Sequence, residues 1–177
     1  VHSSSGEVQS FAARFGSSAP FELPKLEYYF STSDRTLYFF TTNGFWQYLP
    51  ESGFKKLPFP ERVMPLQVMP NGTFVGSNGS GLLQFDSLGQ VVHRYPYQLN
   101  GKYVKVYPNG EDIWLHQIGT PPVYIPRDGQ PVTSKANFYI GEKKPTCFDK
   151  NRNWLWVANA NDLMAFDKNG NKVYDLH

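Results

Sequence analysis

The sequence has little charge, almost no cysteine and no long apolar run. Asp, Glu, Lys and Arg make up 18% of its 177 residues and leave a formal net charge of +2. A chain so close to neutral has no domain-wide field to recruit a polyanion, so no nucleic-acid partner is expected. The single cysteine, Cys147, excludes an intrachain disulfide and a cysteine-based zinc cluster. It leaves the compartment open, because exported bacterial proteins often carry no disulfide. No stretch approaches the ~20 apolar residues that a membrane helix needs, so no membrane insertion is expected. Histidine is scarce, at four residues, and none stands at metal-ligand or triad spacing. No metal, cofactor or catalytic group is therefore expected in this segment. The chain starts at Val1 without a Met or an apolar leader, which predicts a processed product or an excised piece.

What is present is aromatic and turn-rich. Aromatics reach 16%, and Gly and Pro number 15 and 14. That mixture favours many short strands joined by tight turns and is too apolar for disorder. Period-two alternation and short apolar runs recur along the chain, separated by six Asn-Gly dipeptides, the strongest short-range hairpin signal. The recurrence has a measurable period. Turn glycines Gly53, Gly89, Gly129 and Gly170 are 36, 40 and 41 residues apart, and the aromatics Tyr38, Phe74, Trp114 and Trp156 are 36, 40 and 42 apart. Two independent markers agree on a unit of about 40 residues, the length of a four-stranded propeller blade.

The fold class expected is thus all-β: four four-stranded antiparallel β-propeller blades in one domain, 1–177. The blades are placed at about 26–60, 64–97, 103–135 and 145–177. Their second strands, such as Leu37–Phe40, Ile113–Leu115 and Trp154–Val157, are apolar without alternation, as strands covered on both faces should be. Gly6–Phe11 reads as the last strand of a preceding blade, since the fourth blade already has its own in Lys172–Leu176. That predicts an arc of a larger propeller, with a closed four-blade ring as the alternative. An arc would pair with neighbouring blades or self-associate. Cys147, beside Phe148, is expected to be a small core residue.

The blade residues carry a resemblance. Leu155-Trp156-Val157-Ala158-Asn159 followed by Asp162-Leu163-Met164-Ala165-Phe166-Asp167, and Phe74-Val75-Gly76-Ser77 followed by Gly81-Leu82-Leu83-Gln84-Phe85-Asp86, resemble the repeats of two-component-regulator propellers. The first blade keeps Gly44-Phe45 and Tyr48 but has Leu49 where the Asp belongs, and the third has Pro121-Pro122 at the Gly-Leu step. The first blade, Tyr38-Phe39-Phe40 through Phe45-Trp46-Gln47-Tyr48, also looks like a haemopexin-type repeat without that family's terminal cysteines. The two-component resemblance implies an extracytoplasmic (periplasmic or cell-surface) module of a bacterial hybrid histidine kinase that senses a ligand without turning it over.

Within a meandering blade, the first-to-second and third-to-fourth strand turns emerge at one end. The second-to-third loops and the blade-to-blade connections emerge at the other. The former are short and alike, and the latter are longer and dissimilar: Ser77–Gly81, His116–Pro122, Ala158–Asp162, Pro96–Lys102 and Ser134–Pro145. Variable loops on a regular scaffold carry function more often than the scaffold does. The candidate ligand-binding residues at that end are Trp46, His116, Gln117, Asn159, Asn161 and Asp162. Their amide, carboxylate and indole groups suit a small polyhydroxylated or glycan ligand. Loop Asn and Asp also serve simply to shape turns. A carbohydrate-active enzyme on the same scaffold would need converging acid and base groups from Glu111, Asp112, His116 and Asp162. A plain protein-binding scaffold is the third reading. The basic and aromatic residues interleaved along His93–Tyr107 fit either an anionic surface or a strand with one wet face.

Overall fold

The structure is a computed structural model that describes residues 14–22, 25–32, 36–59, 63–99, 104–117, 119–135, 146–158 and 162–176. The expected strand at Gly6–Phe11 lies outside them. The chain divides into two compact units, Val1–Pro58 and Phe59–His177.

The first unit holds one sheet: β1 (Leu26–Ser31), β2 (Leu37–Thr41), β3 (Gly44–Leu49) and β4 (Gly53–Leu57), in the order β1-β2-β3-β4. Every neighbouring pair is antiparallel, with Phe39 opposite Trp46 and Trp46 opposite Lys56. One face is covered by the segment that precedes it, which contains a 3₁₀ turn at Gly16–Ser18. From that segment Phe15 and Phe21 reach down onto Phe39, Tyr48 and Phe54 with ring centroids 4.8–5.9 Å apart, mostly edge to face. The opposite face stacks Phe30, Tyr38 and Phe45, the last fully buried. Such edge-to-face and offset pairs add about 0.5–1.5 kcal/mol each beyond their area.

The second unit holds three sheets of the same kind. β5 (Met64–Val68), β6 (Phe74–Ser77), β7 (Gly81–Phe85) and β8 (Val91–Gln98) form the second blade. β9 (Val104–Asn109), β10 (Asp112–Gln117), β11 (Val123–Ile125) and β12 (Val132–Thr133) form the third. β13 (Thr146–Asp149), β14 (Trp154–Ala158), β15 (Leu163–Phe166) and β16 (Lys172–Leu176) form the fourth. All four sheets are antiparallel meanders, so the four-blade reading holds. The Pro121-Pro122 step in the third blade does not abolish its third strand. It shortens β11 to three residues, because a proline has no N–H to extend the ladder.

Two apolar layers fasten these three blades. Between the second and third, Leu66, Val75, Leu82 and Tyr95 meet Val106, Ile113, Leu115 and Ile125. Between the third and fourth, Trp114 and Tyr124 meet Leu155, Val157, Met164 and Phe166. Burying each such side chain contributes about 1.5–3 kcal/mol. The strand β10 shows why the third blade reads as a continuous apolar run: Ile113 and Leu115 serve the first layer, Trp114 the second.

Tyrosines stitch the same seams. Tyr95 donates to the Glu111 carbonyl (3.2 Å), Tyr97 to Gln117 Oε1 (3.4 Å) and Tyr107 to the Thr146 carbonyl (2.9 Å). Each places its ring in an apolar layer and its hydroxyl on a polar partner in the next blade. Burial pushes the Tyr95 phenol up to about 12. The alternation of β8 is that of a strand with one wet face, with Tyr95 buried and Val91, Val92 and Arg94 exposed.

The fourth blade departs from expectation. Its second strand is apolar throughout, yet only Leu155 and Val157 are fully buried, while Trp154, Trp156 and Ala158 on the other side are half-buried. Cys147, expected in the core, is exposed, because it stands opposite Trp156 on that less covered face.

Candidate functional site

The two ends of the blades differ in how their polar groups are satisfied. At the short-turn end, side chains close the turns on themselves. Asp86 Oδ1 accepts from the N–H groups of Leu88 and Gln90, both at 2.9 Å. Asp167 Oδ1 repeats the pattern with Asn169 (3.0 Å) and Asn171 (2.9 Å) one unit later. Asn71 Oδ1 accepts from Thr73 N and Oγ1 at 3.2 and 2.7 Å. Asp149 Oδ1 accepts from Asn151 and Arg152 N–H groups, and the Arg152 side chain on its other oxygen holds the carboxyl below its ordinary pKa. Asp112, one of the groups an acid–base site would need, accepts from the Arg127 N–H at 2.9 Å and from the Tyr124 hydroxyl. Glu111, another, pairs with Arg127 at 2.6 Å. These carboxylates are engaged in turn geometry of the Asx type.

At the opposite end the second-to-third loop of the second blade is also self-contained, with Asn78 Oδ1 accepting from Ser80 (3.3 Å) and Gly81 (2.9 Å). The third blade is different. β10 runs on to His116 and Gln117, which pair with Lys105 and Val104 of β9 and are buried. Gln117 is joined to Tyr97 of the second blade, and its carbonyl accepts from Thr120 N at 3.3 Å. His116 is fully enclosed, and neither ring nitrogen has a hydrogen-bond partner among the described residues. Burial, and then the Lys105 charge, push its pKa below the ordinary value, so the ring is neutral at pH 7. Ser134, just past β12, is likewise buried with an unpartnered hydroxyl. Its N–H donates to the Pro122 carbonyl (2.8 Å), which keeps it beside the start of β11.

The expected site residues thus fall in three places. His116, Gln117 and Asp162 stand at the loop end of the second unit, the first two in its interior and Asp162 half-buried just before β15. Asn159 and Asn161 lie outside the described residues. Trp46 is not on a loop: it stands in the middle of β3, half-buried, with Phe21 at 6.1 Å and Lys56 Nζ 5.5 Å from its ring. Its neighbour Phe45 takes the fully buried position instead. Tyr97 and Ser134 were not singled out as site residues from sequence. The signal for Tyr97 was its place two residues beyond Tyr95 on the same strand face. Among the described residues no three of His, Cys, Asp and Glu come together as a metal site, and no helix is long and apolar enough to cross a membrane.

No protein-family model and no curated protein sequence matches the chain. Solved structures do. Virginiamycin B lyase from Staphylococcus aureus is similar, with a TM-score of 0.57 and 16% identity over 82% of this chain and 53% of that one. A catalytically inactive histidine-to-alanine variant of the same lyase, with quinupristin, gives a TM-score of 0.62 and 15% identity over 89% and 57%. A protein of unknown function from Bacteroides caccae gives 0.52 and 12% over 83% and 58%. These are similarities of fold: the blades are β-propeller blades. The chain spans a little over half the length of each of these structures.

Proposed function

We propose that this chain is a non-catalytic ligand-sensing or interaction module built of propeller blades, in a bacterial extracytoplasmic signalling receptor, and that its ligand is carbohydrate in character. The observation that carries the reading is the contrast between the two blade ends. Turn carboxylates and amides at one end are saturated by their own backbones. At the other, His116, Gln117 and Ser134 are polar groups buried beside dissimilar loops. A neutral imidazole, an amide and a hydroxyl each donate and accept, which is what hydroxyl-bearing ligands require. Placement outside the cytoplasm, and in a receptor of the two-component type, rests on the blade motifs centred on Trp156 and Phe74. A ligand held at this end would shift the receptor's conformational populations by its differential affinity for them.

The test is calorimetric titration with a panel of neutral and acidic oligosaccharides, comparing Asp162→Ala with Asn71→Ala. Losing a hydrogen-bonding side chain at the loop end costs about 1–3 kcal/mol of binding, against almost nothing at the turn end. A panel that never binds, or loss of binding confined to Asn71→Ala, refutes the reading. One observation favours an enzyme as the second reading: the fold likeness to a lyase, together with the unpartnered ring of His116. Bond cleavage in an oligosaccharide by the native chain, abolished in His116→Ala with the fold intact, would establish it.

A further inference from the structure

The fourth blade carries an apolar face that its counterparts in the second unit keep covered. Trp156 occupies in the fourth blade the place Trp114 occupies in the third: each is the aromatic of its second strand, 42 residues apart. Trp114 is fully buried against Leu155, Val157, Met164 and Phe166. Trp156 is only half-buried. Around it the ladder sets a row of cross-strand partners on the same face: Cys147, Trp156, Ala165 and Tyr174, with Leu163 and Leu176 one step along. Tyr174 is 41% and Leu176 54% exposed, and Cys147 is exposed too. The rings already lean on one another, Trp154 to Trp156 at 6.2 Å and Trp156 to Tyr174 at 5.0 Å. A contiguous aromatic and aliphatic sheet face of this kind marks an interaction surface.

We propose that this face is a self-association surface that meets the same face of a second copy of the chain across a two-fold axis. The charges beside it fit such a pairing. Arg152 is neutralised by Asp149 at 2.9 Å and lies over the Trp154 ring, while Lys172 is paired with Asp175. Copying the face on itself therefore brings neutral pairs together rather than like charges, and a flat apolar face is its own complement in an isologous contact. Its size sets the strength. Four strands about 4.8 Å apart and about five residues long cover on the order of 300–400 Å² per copy. That is below the roughly 800 Å² per partner of a standard interface, so the dimer is weak and reversible. This inference rests on the open face alone, so it does not depend on the loop-end ligand.

Sedimentation velocity of the full 177-residue chain tests it, from a few micromolar to several hundred micromolar, beside tryptophan fluorescence. The expected result is a mass that rises with concentration towards twice the monomer and stops there, with a blue shift of emission as Trp154 and Trp156 are covered. Tyr174→Lys and Leu176→Lys, at exposed positions, should hold the chain monomeric. Val92→Lys, equally exposed on β8 of another blade, should leave association unchanged. A chain that stays monomeric at every concentration overturns the proposal and leaves the face to a different polypeptide. Growth beyond the dimer, or association untouched by Tyr174→Lys, overturns it as well.

Discussion

Gly89 and Gly170 offer a matched pair of substitutions. Both close the turn between the third and fourth strands of a blade, with φ of 78° and 75°. Both donate their N–H to the carbonyl of the aspartate three residues earlier, at 3.0 and 2.9 Å. The surroundings differ. A Cβ on Gly89 would meet the solvent edge of its turn, since Gly89 is not among the crowded glycines. A Cβ on Gly170 would stand 2.6 Å from the Thr133 carbonyl oxygen and 3.3 Å from Ser134 Cα. In Gly89→Ala the left-handed backbone costs about 1–2 kcal/mol, less a few tenths recovered from the unfolded chain. Gly170→Ala pays the same and must also displace backbone. That strains the bond from Lys135 N–H to the Gly170 carbonyl, 2.8 Å in the native chain. Overpacking and a weakened hydrogen bond add roughly 1–3 kcal/mol. Urea unfolding followed by tryptophan emission is the assay, because Trp114, Trp154 and Trp156 all belong to the second unit. With a slope of about 1–3 kcal/mol per molar, the extra cost lowers the Gly170→Ala midpoint by roughly 1 M relative to Gly89→Ala. Equal midpoints for the two variants would refute the packing of the fourth blade's turn on the third blade's last strand.

Two further outcomes follow from the seams. Asn153 sits at φ 56° and accepts from Asn109 Nδ2 at 2.9 Å across the third and fourth blades; Asn153→Ala should cost about 1–3 kcal/mol in the same unfolding assay, and Asn153→Gly, which keeps the backbone unstrained, clearly less. The pKa of His116 is depressed in the folded chain by burial first and by Lys105 second. Its stabilising contribution is therefore complete above the ordinary value near 6.5 and is lost as pH falls through the folded value, because the unfolded chain binds the proton more readily. Urea midpoints measured from pH 7.5 downward should fall in the native chain and fall less steeply in His116→Leu. Parallel slopes would remove His116 from the account.

The repeat was legible because its signals are local. An Asp that accepts from two backbone N–H groups, followed by Gly at positive φ, needs nothing beyond five residues, so Asp86–Gln90 and Asp167–Asn171 announce their turns from sequence. The burial of a sheet face is not local. Trp154–Val157 reads as a strand covered on both faces, as Ile113–Leu115 does, and the residues do not differ in kind. What differs is whether a further blade lies against them. Cys147 fails for the same reason: it follows the face of Trp156. Trp46 and Phe45 were ambiguous for a related cause, since adjacent apolar residues point to opposite faces, and only the rings of Phe15 and Phe21 decide which layer each one joins.

The site was legible as an end of the blades but not as a set of side chains. His116 and Gln117 follow the apolar run Ile113–Leu115, and two polar residues after such a run read as the start of a loop. The backbone continues instead, because Val104 and Lys105 on β9 extend far enough to pair with them. That extension is set by the length of a neighbouring strand, which no window around residue 116 contains. Once the ladder reaches them, alternation sends the two side chains to opposite faces of the sheet. Gln117 joins Tyr97 on the side of the second blade, and His116 shares the face of Trp114, towards the fourth. An imidazole so placed is desolvated without a compensating partner, a cost that an apolar residue of similar volume would avoid. A polar ligand or a proton at that seam is the physical circumstance in which such a residue would be retained. The pH dependence and the saccharide titration distinguish those two circumstances: a proton acts on stability without ligand, while a ligand restores stability only when it is added.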